Sequence, residues 1–228
     1  MNLLEQIVSD LVQQTDADTM NRLFGRKDIY LDIYGGPTQF TNAIEKKIQA
    51  LGLHHVSTPG HRMPYIYDLE KTPRCSYIPN NLSNDIDRCN ASHHAWPASC
   101  DAQACKMIVE ELWMQRVSTG KHVGIVGRGH AVDGLYEALI GCDFTLTQCH
   151  SKTGNLAEAL KPCDIIVYAA PVWNPFDTTG KYVLDVGYSV PKDGIEGTIA
   201  HNIGKLTVSI IINRAVTQYI KNIQNMEA

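Results

Sequence analysis

Leu3, Leu4, Ile7, Val8, Leu11 and Val12 recur at helical spacing and predict an amphipathic helix over residues 2–14. Residues 28–34 (DIYLDIY) set Ile29, Leu31 and Ile33 against Tyr30, Asp32 and Tyr34, the period-two pattern of a strand. Gly35-Gly36-Pro37 turns the chain, and Phe40, Ile44, Ile48 and Leu51 return to helical spacing before Gly52. From Leu53 to Trp96 the periodicity is lost among Pro, Asn, His and Tyr, which predicts loops with at most short elements. A helix follows near 101–117, with Ala104, Met107, Ile108 and Leu112 turned inward.

Beyond Gly120 the texture changes. HVGIVG, FTLTQC, DIIVYAA and YVLDVG are short, continuously apolar runs, as expected of strands buried on both faces of a parallel sheet. A last helix over 205–223 carries Leu206, Ile210, Asn213, Val216 and Ile220 along one side. The expected fold is α/β: a reduced α/β N-terminal substrate domain over 1–119 and a C-terminal Rossmann-like NAD(P)-binding domain over 120–228. The last helix is expected to pack back on the first domain. A length of 228 residues accommodates this at roughly one and a half average domains.

Composition narrows the classes. The apolar fraction of 44% excludes a disordered chain, and the net charge of −4 argues against a nucleic-acid partner held by bulk positive charge. No apolar run approaches the ~20 residues of a membrane span, and the acidic N-terminal pattern is unlike a secretory signal. Seven cysteines at irregular spacing read as free thiols in a reducing compartment. Cys89, His93, His94, Cys100 and Cys105 contain no CxxC pair, so no metal site is expected.

The chemistry-bearing motif is HVGIVGRGHAVDGLYEAL, a strand, a glycine turn and a helix. Gly127 and Gly129 would let backbone approach a pyrophosphate, with a helix N-terminus expected near Ala131. The third fingerprint glycine is replaced by Val132, so the motif alone also fits a turn that binds nothing. The second strand ends in Cys149-His150-Ser151-Lys152, without the acid that holds the ribose of NAD. Arg128 and Ser151, with Lys152 or with that lysine merely solvated, suit a 2′-phosphate and favour NADP, with NAD as the alternative.

The segments Thr145 to Leu156, Cys163 to Pro171, and Asp185-Val186-Gly187-Tyr188 are more specific. Together with Gly127-Arg128-Gly129 they resemble, in order and spacing, the bifunctional methylenetetrahydrofolate dehydrogenase/methenyltetrahydrofolate cyclohydrolase family. The closing IGKLTVSIIIN, with Gly204, Thr207 and Asn213, is similar to that family's last conserved segment. The resemblance implies a cytoplasmic homodimer acting on a tetrahydrofolate-type substrate, with no nucleic-acid or membrane partner. Carried over position by position, it implies a cofactor site of Gly127, Arg128, Gly129, His130, His150, Ser151, Thr153, Ala170, Pro171, Tyr188 and Thr207.

The first half departs from the family. NDIDRC resembles its KDVDGF segment and places Asp87 on the carboxylate that holds the pterin. The tyrosine and lysine of the family's YxxxK pair fall on Phe40 and Ile44, and its QLPLP strand has no counterpart. Phe40, Ile44 and Asp87 are thus the expected substrate contacts. No catalytic residue is assigned; Lys47 is either a substitute lysine one turn on, or part of a solvated face. Hydride transfer from the methylene carbon needs placement rather than a protein base, whereas ring opening by water needs a proton carrier. The missing groups therefore threaten the cyclohydrolase step more than the dehydrogenase step. The resemblance implies an NADP-dependent methylenetetrahydrofolate dehydrogenase with cyclohydrolase activity weak or lost; the alternatives are a non-catalytic dinucleotide-binding homologue and a dehydrogenase acting on another small substrate. At Ile199-Ala200-His201-Asn202, where the family has Pro-Val-Pro-Gly-Gly walling the folate site, His201 reads as a substrate contact or, more simply, as a surface-loop histidine.

Overall fold

The structure is a computed structural model that describes residues 2–34, 37–56, 64–67, 84–89, 96–115 and 121–227. It divides into two compact units, one of Met1–Val12 with Asp101–Thr207, the other of Gln13–Cys100 with Val208–Ala228. The division at Cys100/Asp101 lies upstream of the change in sequence texture at 119. The reason is that helix α3 (Cys100–Met114) is grouped, but for its first residue, with the strands that follow it.

The first unit is built on a five-stranded, all-parallel sheet. Its strands are β5 (His122–Val126), β6 (Thr145–Cys149), β7 (Ile165–Tyr168), β8 (Tyr182–Asp185) and β9 (Thr198–Ala200), in the spatial order β6-β5-β7-β8-β9. Four of these are the apolar runs of the sequence; β9 was hidden in a three-residue stretch too short to show a pattern. Ile165, Ile166, Val167, Val183 and Leu184 are fully buried, as strands covered on both faces require. β6 departs from that expectation: it is an edge strand in which Thr145 and Gln148 are exposed and only Cys149 is buried. Parallel neighbours need crossover connections; α4 (Leu135–Ile140) lies on the one from β5 to β6 and α5 (Leu156–Leu160) on the one from β6 to β7, while β7, β8 and β9 are joined without a helix. Asn155 starts α5 by accepting a hydrogen bond from the Glu158 N–H at 3.1 Å.

The helix expected to begin near Ala131 does not. A single 3₁₀ turn spans His130–Val132, Gly134 adopts a left-handed conformation (φ 80°), and α4 starts only at Leu135. Asp133, extended between them, breaks the helical path.

In the second unit α1 (Leu3–Arg22), whose first turns lie in the first unit, runs eight residues beyond its predicted end. The expected strand 28–34 divides into β1 (Asp28–Tyr30) and β2 (Asp32–Tyr34). β1 pairs in parallel with β3 (His54–Val56), and β2 with β4 (Tyr65–Tyr67). The partner changes at Leu31: its N–H reaches Val56 O, while that of Asp32 reaches Pro64 O at 2.8 Å. Asp32 is consequently buried, not on the solvent face that strict alternation assigned to it.

Helix α2 (Gln39–Ala50) is capped reciprocally, Thr41 N–H donating to Thr38 Oγ1 and Thr38 N–H to Thr41 Oγ1. It buries Thr41, Ile44 and Ile48. The last helix, α6 (Ile203–Glu227), joins the second unit from Val208 onward. There Arg214, 5% exposed, donates through Nη1 to the carbonyls of Ile86 and Ala98, both at 2.9 Å, with Trp96 beneath its guanidinium. Asn213 donates to Asp18 Oδ2 and Thr19 Oγ1. Among the described residues no helix is long and apolar enough to cross a membrane, and the six described cysteines form no disulfide.

Candidate functional site

Strand order places the site. The chain leaves β5 for β6 on one side and returns to β7 on the other, so a crevice opens between the carboxyl ends of β5 and β7. Gly127 stands there with φ 129°, a conformation that side chains avoid. A Cβ on it would also crowd Ala169 C, Cβ and O at 3.3 Å, so backbone conformation and close approach both favour glycine here. The turn is pinned by Gly127 N–H to Cys149 O at 2.9 Å and Ala169 N–H to Val126 O at 2.8 Å. Arg128 and Gly129 follow with exposed positions, and nothing lies within 4 Å of a Cβ built on Gly129. A concavity of this form, with bare backbone before it and Arg128 beside it, fits a pyrophosphate.

The turn after β6 is held by its own hydrogen bonds. His150 N–H donates to Thr153 Oγ1 at 3.0 Å, Thr153 N–H to His150 O at 2.8 Å, and Lys152 N–H to His150 Nδ1 at 3.1 Å. With Nδ1 accepting, the neutral imidazole carries its proton on Nε2. Ser151 and Lys152 are exposed beside it.

Beyond β7, Ala170 and Pro171 lead into a loop packed by its own aromatics. The Tyr168 hydroxyl donates to Val172 O and receives the Asn174 N–H, while its ring packs on Trp173 and Phe176. Beyond β8, Gly187 passes so close to β7 that a Cβ would lie 2.4 Å from Ala170 O. Tyr188 follows with φ 52° and 70% exposure. Its ring is open to solvent, but burial of the hydroxyl end pushes the phenol pKa up, helped by the charges of Asp101 and Asp185. Thr207, 3% exposed, donates its hydroxyl to Asp101 Oδ1 at 2.6 Å.

The structure thus gathers the predicted positions on β5, β6, β7 and β8 at one edge of one sheet, with Thr207 engaged by Asp101. The expected substrate contacts lie in the second unit and have local roles. Asp87, 6% exposed, accepts the Cys100 N–H at 2.7 Å, so a helix N-terminus offsets part of its burial cost. Ile44 is fully buried, and Phe40 is half-buried on the same helix. Lys47, the possible substitute lysine, is ion-paired with Asp16, so its face is not simply solvated. His55 bridges Glu45 on α2 and the Leu31 carbonyl; His61, His93 and His94 lie outside the described residues.

One pair escaped the sequence reading. His201 lies in the loop between β9 and α6 but is anchored there: its Nδ1 meets Asp185 Oδ2 at 2.8 Å, and Asp185 is 1% exposed. The available signal was positional, since Asp185 ends β8 and His201 follows β9, the adjacent parallel strand.

Comparison with known proteins agrees with this geometry. The tetrahydrofolate dehydrogenase/cyclohydrolase, NAD(P)-binding domain profile matches residues 99–212, which is 114 of the 228 residues. The bifunctional protein FolD of Fervidobacterium nodosum is 32% identical over 114 residues, 47% of this chain and 41% of that protein. FolD of Clostridium perfringens is 39% identical over 85 residues, 35% of this chain and 31% of that protein. The chain therefore matches at most about two-fifths of the length of these curated relatives.

Over the whole chain the likeness is one of fold. The bifunctional 5,10-methylenetetrahydrofolate dehydrogenase/cyclohydrolase from Thermoplasma acidophilum superposes with a TM-score of 0.68 at 16% identity, covering 97% of this chain and 98% of that one. The Trypanosoma brucei N5,N10-methylenetetrahydrofolate dehydrogenase-cyclohydrolase, complexed with NADP and inhibitor, gives 0.63 at 18%, covering 97% and 96%. With half of its length matching the domain profile, this chain belongs to the tetrahydrofolate dehydrogenase/cyclohydrolase family.

Proposed function

We propose that this chain is an NADP-dependent methylenetetrahydrofolate dehydrogenase, oxidising 5,10-methylenetetrahydrofolate to 5,10-methenyltetrahydrofolate, with its cyclohydrolase step weak or lost. The observation that carries the reading is the left-handed glycine turn where Gly127 meets Ala169, flanked by Arg128 and Lys152 with no acid at the end of β6. Bare backbone there admits a pyrophosphate, and Arg128, Ser151 and Lys152 supply charge and donors for a 2′-phosphate. His150 presents its Nε2 proton to the same ligand. Ala170, Pro171 and Tyr188 border the far half, where the nicotinamide would lie.

NADP, when bound, supplies the hydride acceptor. The chain's part in that step is to orient two bound molecules and exclude water, which requires no protein base. Opening the methenyl ring is different, because water must lose a proton as it attacks. At the family's lysine position Ile44 is fully buried and offers no titratable group, and Lys47 is committed to Asp16. The reading extends to Asp87, Phe40 and Ile44 as the substrate side, over residues 1–119, and to a cytoplasmic homodimer.

The test is an absorbance assay with purified protein, 5,10-methylenetetrahydrofolate and either NADP or NAD. Reduced NADP should form together with methenyltetrahydrofolate, and faster than reduced NAD. No reduced cofactor of either kind, from folded protein, removes the reading; NADP binding without turnover would leave a dinucleotide-binding protein in its place.

A further inference from the structure

At the carboxyl edge of the sheet, after β9 and three strands beyond β5, stands a histidine held as a base is held. Asp185 is locked from both sides: Oδ1 accepts the Ser189 N–H at 3.0 Å and the Val190 N–H at 3.4 Å, and Oδ2 faces His201 Nδ1 at 2.8 Å. Ser189 is fixed in turn by donating to Ala170 O at 2.8 Å. A carboxylate can only accept, so Nδ1 carries the proton and the neutral ring keeps its lone pair on Nε2. Nε2 lies on the far side of the ring from the buried carboxylate, and among the described residues nothing bonds it; the side chain is 27% exposed. Asn202, next in the chain, has its Oδ1 buried without a partner among the described residues. An orphaned acceptor costs about 1–3 kcal/mol and marks a place where a donor such as water or substrate is missing.

We infer that His201 is the general base and acid of methenyl-ring hydrolysis in this chain, with Asp185 as its positioning residue. The inference rests on the proposed folate substrate and deepens it: the residual cyclohydrolase runs through an imidazole where the lysine is absent. A dinucleotide seated at Gly127 would be bordered beyond β5 by Ala170 and Pro171 after β7 and Tyr188 after β8, the side of the sheet that leads to β9. Hydride transfer would bring the reacting carbon to the nicotinamide, and so toward this end of the sheet.

In the hydrolysis, water oxygen bonds to the methenyl carbon as His201 Nε2 takes one of its protons, and the amidinium π-electrons return to nitrogen. The imidazolium then gives that proton to N5 as the C–N5 bond breaks. The hydroxyl proton leaves through the freed imidazole to solvent. The sum is methenyl cation plus water giving 10-formyltetrahydrofolate and one proton, with no oxidant consumed.

The decisive experiment supplies 5,10-methenyltetrahydrofolate directly, without NADP, and follows the loss of its absorbance. Wild-type protein should hydrolyse it above the buffer rate, and His201→Gln should lower the enzymatic rate on the order of 10²-fold. His201→Gly opens the same position to small molecules, and added imidazole should restore its hydrolysis. Asp185→Asn should lower the rate as well and abolish the low-field Nδ1 proton resonance of His201. Wild-type hydrolysis no faster than buffer, a His201→Gln rate within threefold of wild type, or a loss that imidazole does not restore overturns the inference. The dehydrogenase reading is scored separately: hydrolysis without formation of reduced cofactor would sink that reading and leave this one standing.

Discussion

Gly187→Ala is the sharpest test of how the carboxyl edge is assembled. The new methyl carbon would lie 2.4 Å from Ala170 O, 3.1 Å from Ala170 C and 3.2 Å from Ala169 C. Relaxed carbon–oxygen contacts lie near 3.3–3.6 Å, so β7 and the turn after β8 must part by roughly 1 Å. All the opposing atoms are backbone, so no rotamer change relieves the clash. The parting also strains Val186 N–H and Gly187 N–H, which both donate to Tyr168 O, at 2.9 and 3.0 Å. Overpacking of this kind costs about 1–3 kcal/mol, and a weakened hydrogen bond adds about 1. A total of about 2–4 kcal/mol should lower the melting temperature by roughly 5–15 °C for a chain of this size. Thermal unfolding followed by circular dichroism reads this, with Gly129→Ala, where a methyl meets nothing within 4 Å, staying near wild type. If Gly187→Ala melts within 1 °C of wild type, the close passage of β8 against β7 is refuted.

Two other perturbations address the second unit. Arg214→Leu leaves the buried carbonyls of Ile86 and Ala98 without their charged donor. It should cost about 3–5 kcal/mol, with Arg214→Lys only partly restoring stability because an ammonium does not reproduce the guanidinium fork; denaturant midpoints measure both, and a loss under 1 kcal/mol for the leucine variant contradicts the assignment. Asp18 has its pKa held below the ordinary carboxylate value by the Arg22 hydrogen bond first and the Asn213 amide second. A depressed carboxylate adds stability above its unfolded pKa, near 3.9, and loses it as pH falls through the lower folded value. The stability gap between wild type and Asn213→Ala should therefore narrow from pH 7 to pH 3, and a constant gap would show that only the Thr19 contact matters.

Much of the first unit could be read from sequence because its central strands β7 and β8 are buried on both faces. DIIVYAA and YVLDVG are continuously apolar for that reason, and the turns after them fall where chain direction must reverse. Gly127 was legible too, since a glycine between an apolar strand and a charged turn marks backbone that bends where a side chain would not fit. The start of α4 was not: whether the residues after Gly129 begin an α-helix or a 3₁₀ turn hangs on the extended Asp133 and left-handed Gly134, which no periodicity records. Residues 28–34 failed for a related reason. A strand that exchanges partners at Leu31 keeps its backbone extended while its burial pattern changes, so Asp32 is buried against the alternation.

By itself the sequence determined the class of fold, the family resemblance, the glycine turn and the absence of an acid after β6, because each depends on residues near one another in the chain. Tertiary structure decided the rest. Strand order 6-5-7-8-9 makes Gly127 and Ala169 neighbours across 42 positions and sets the switch point of this sheet between β5 and β7. It buried Ile44, tied Lys47 to Asp16, and gave Asp87 a helix N-terminus to hold. It also made His201, a loop residue, the partner of a buried carboxylate 16 positions away. A side chain's chemistry is set by what desolvates it and which groups it faces, and those groups are chosen by strand pairing over distances that local pattern does not encode.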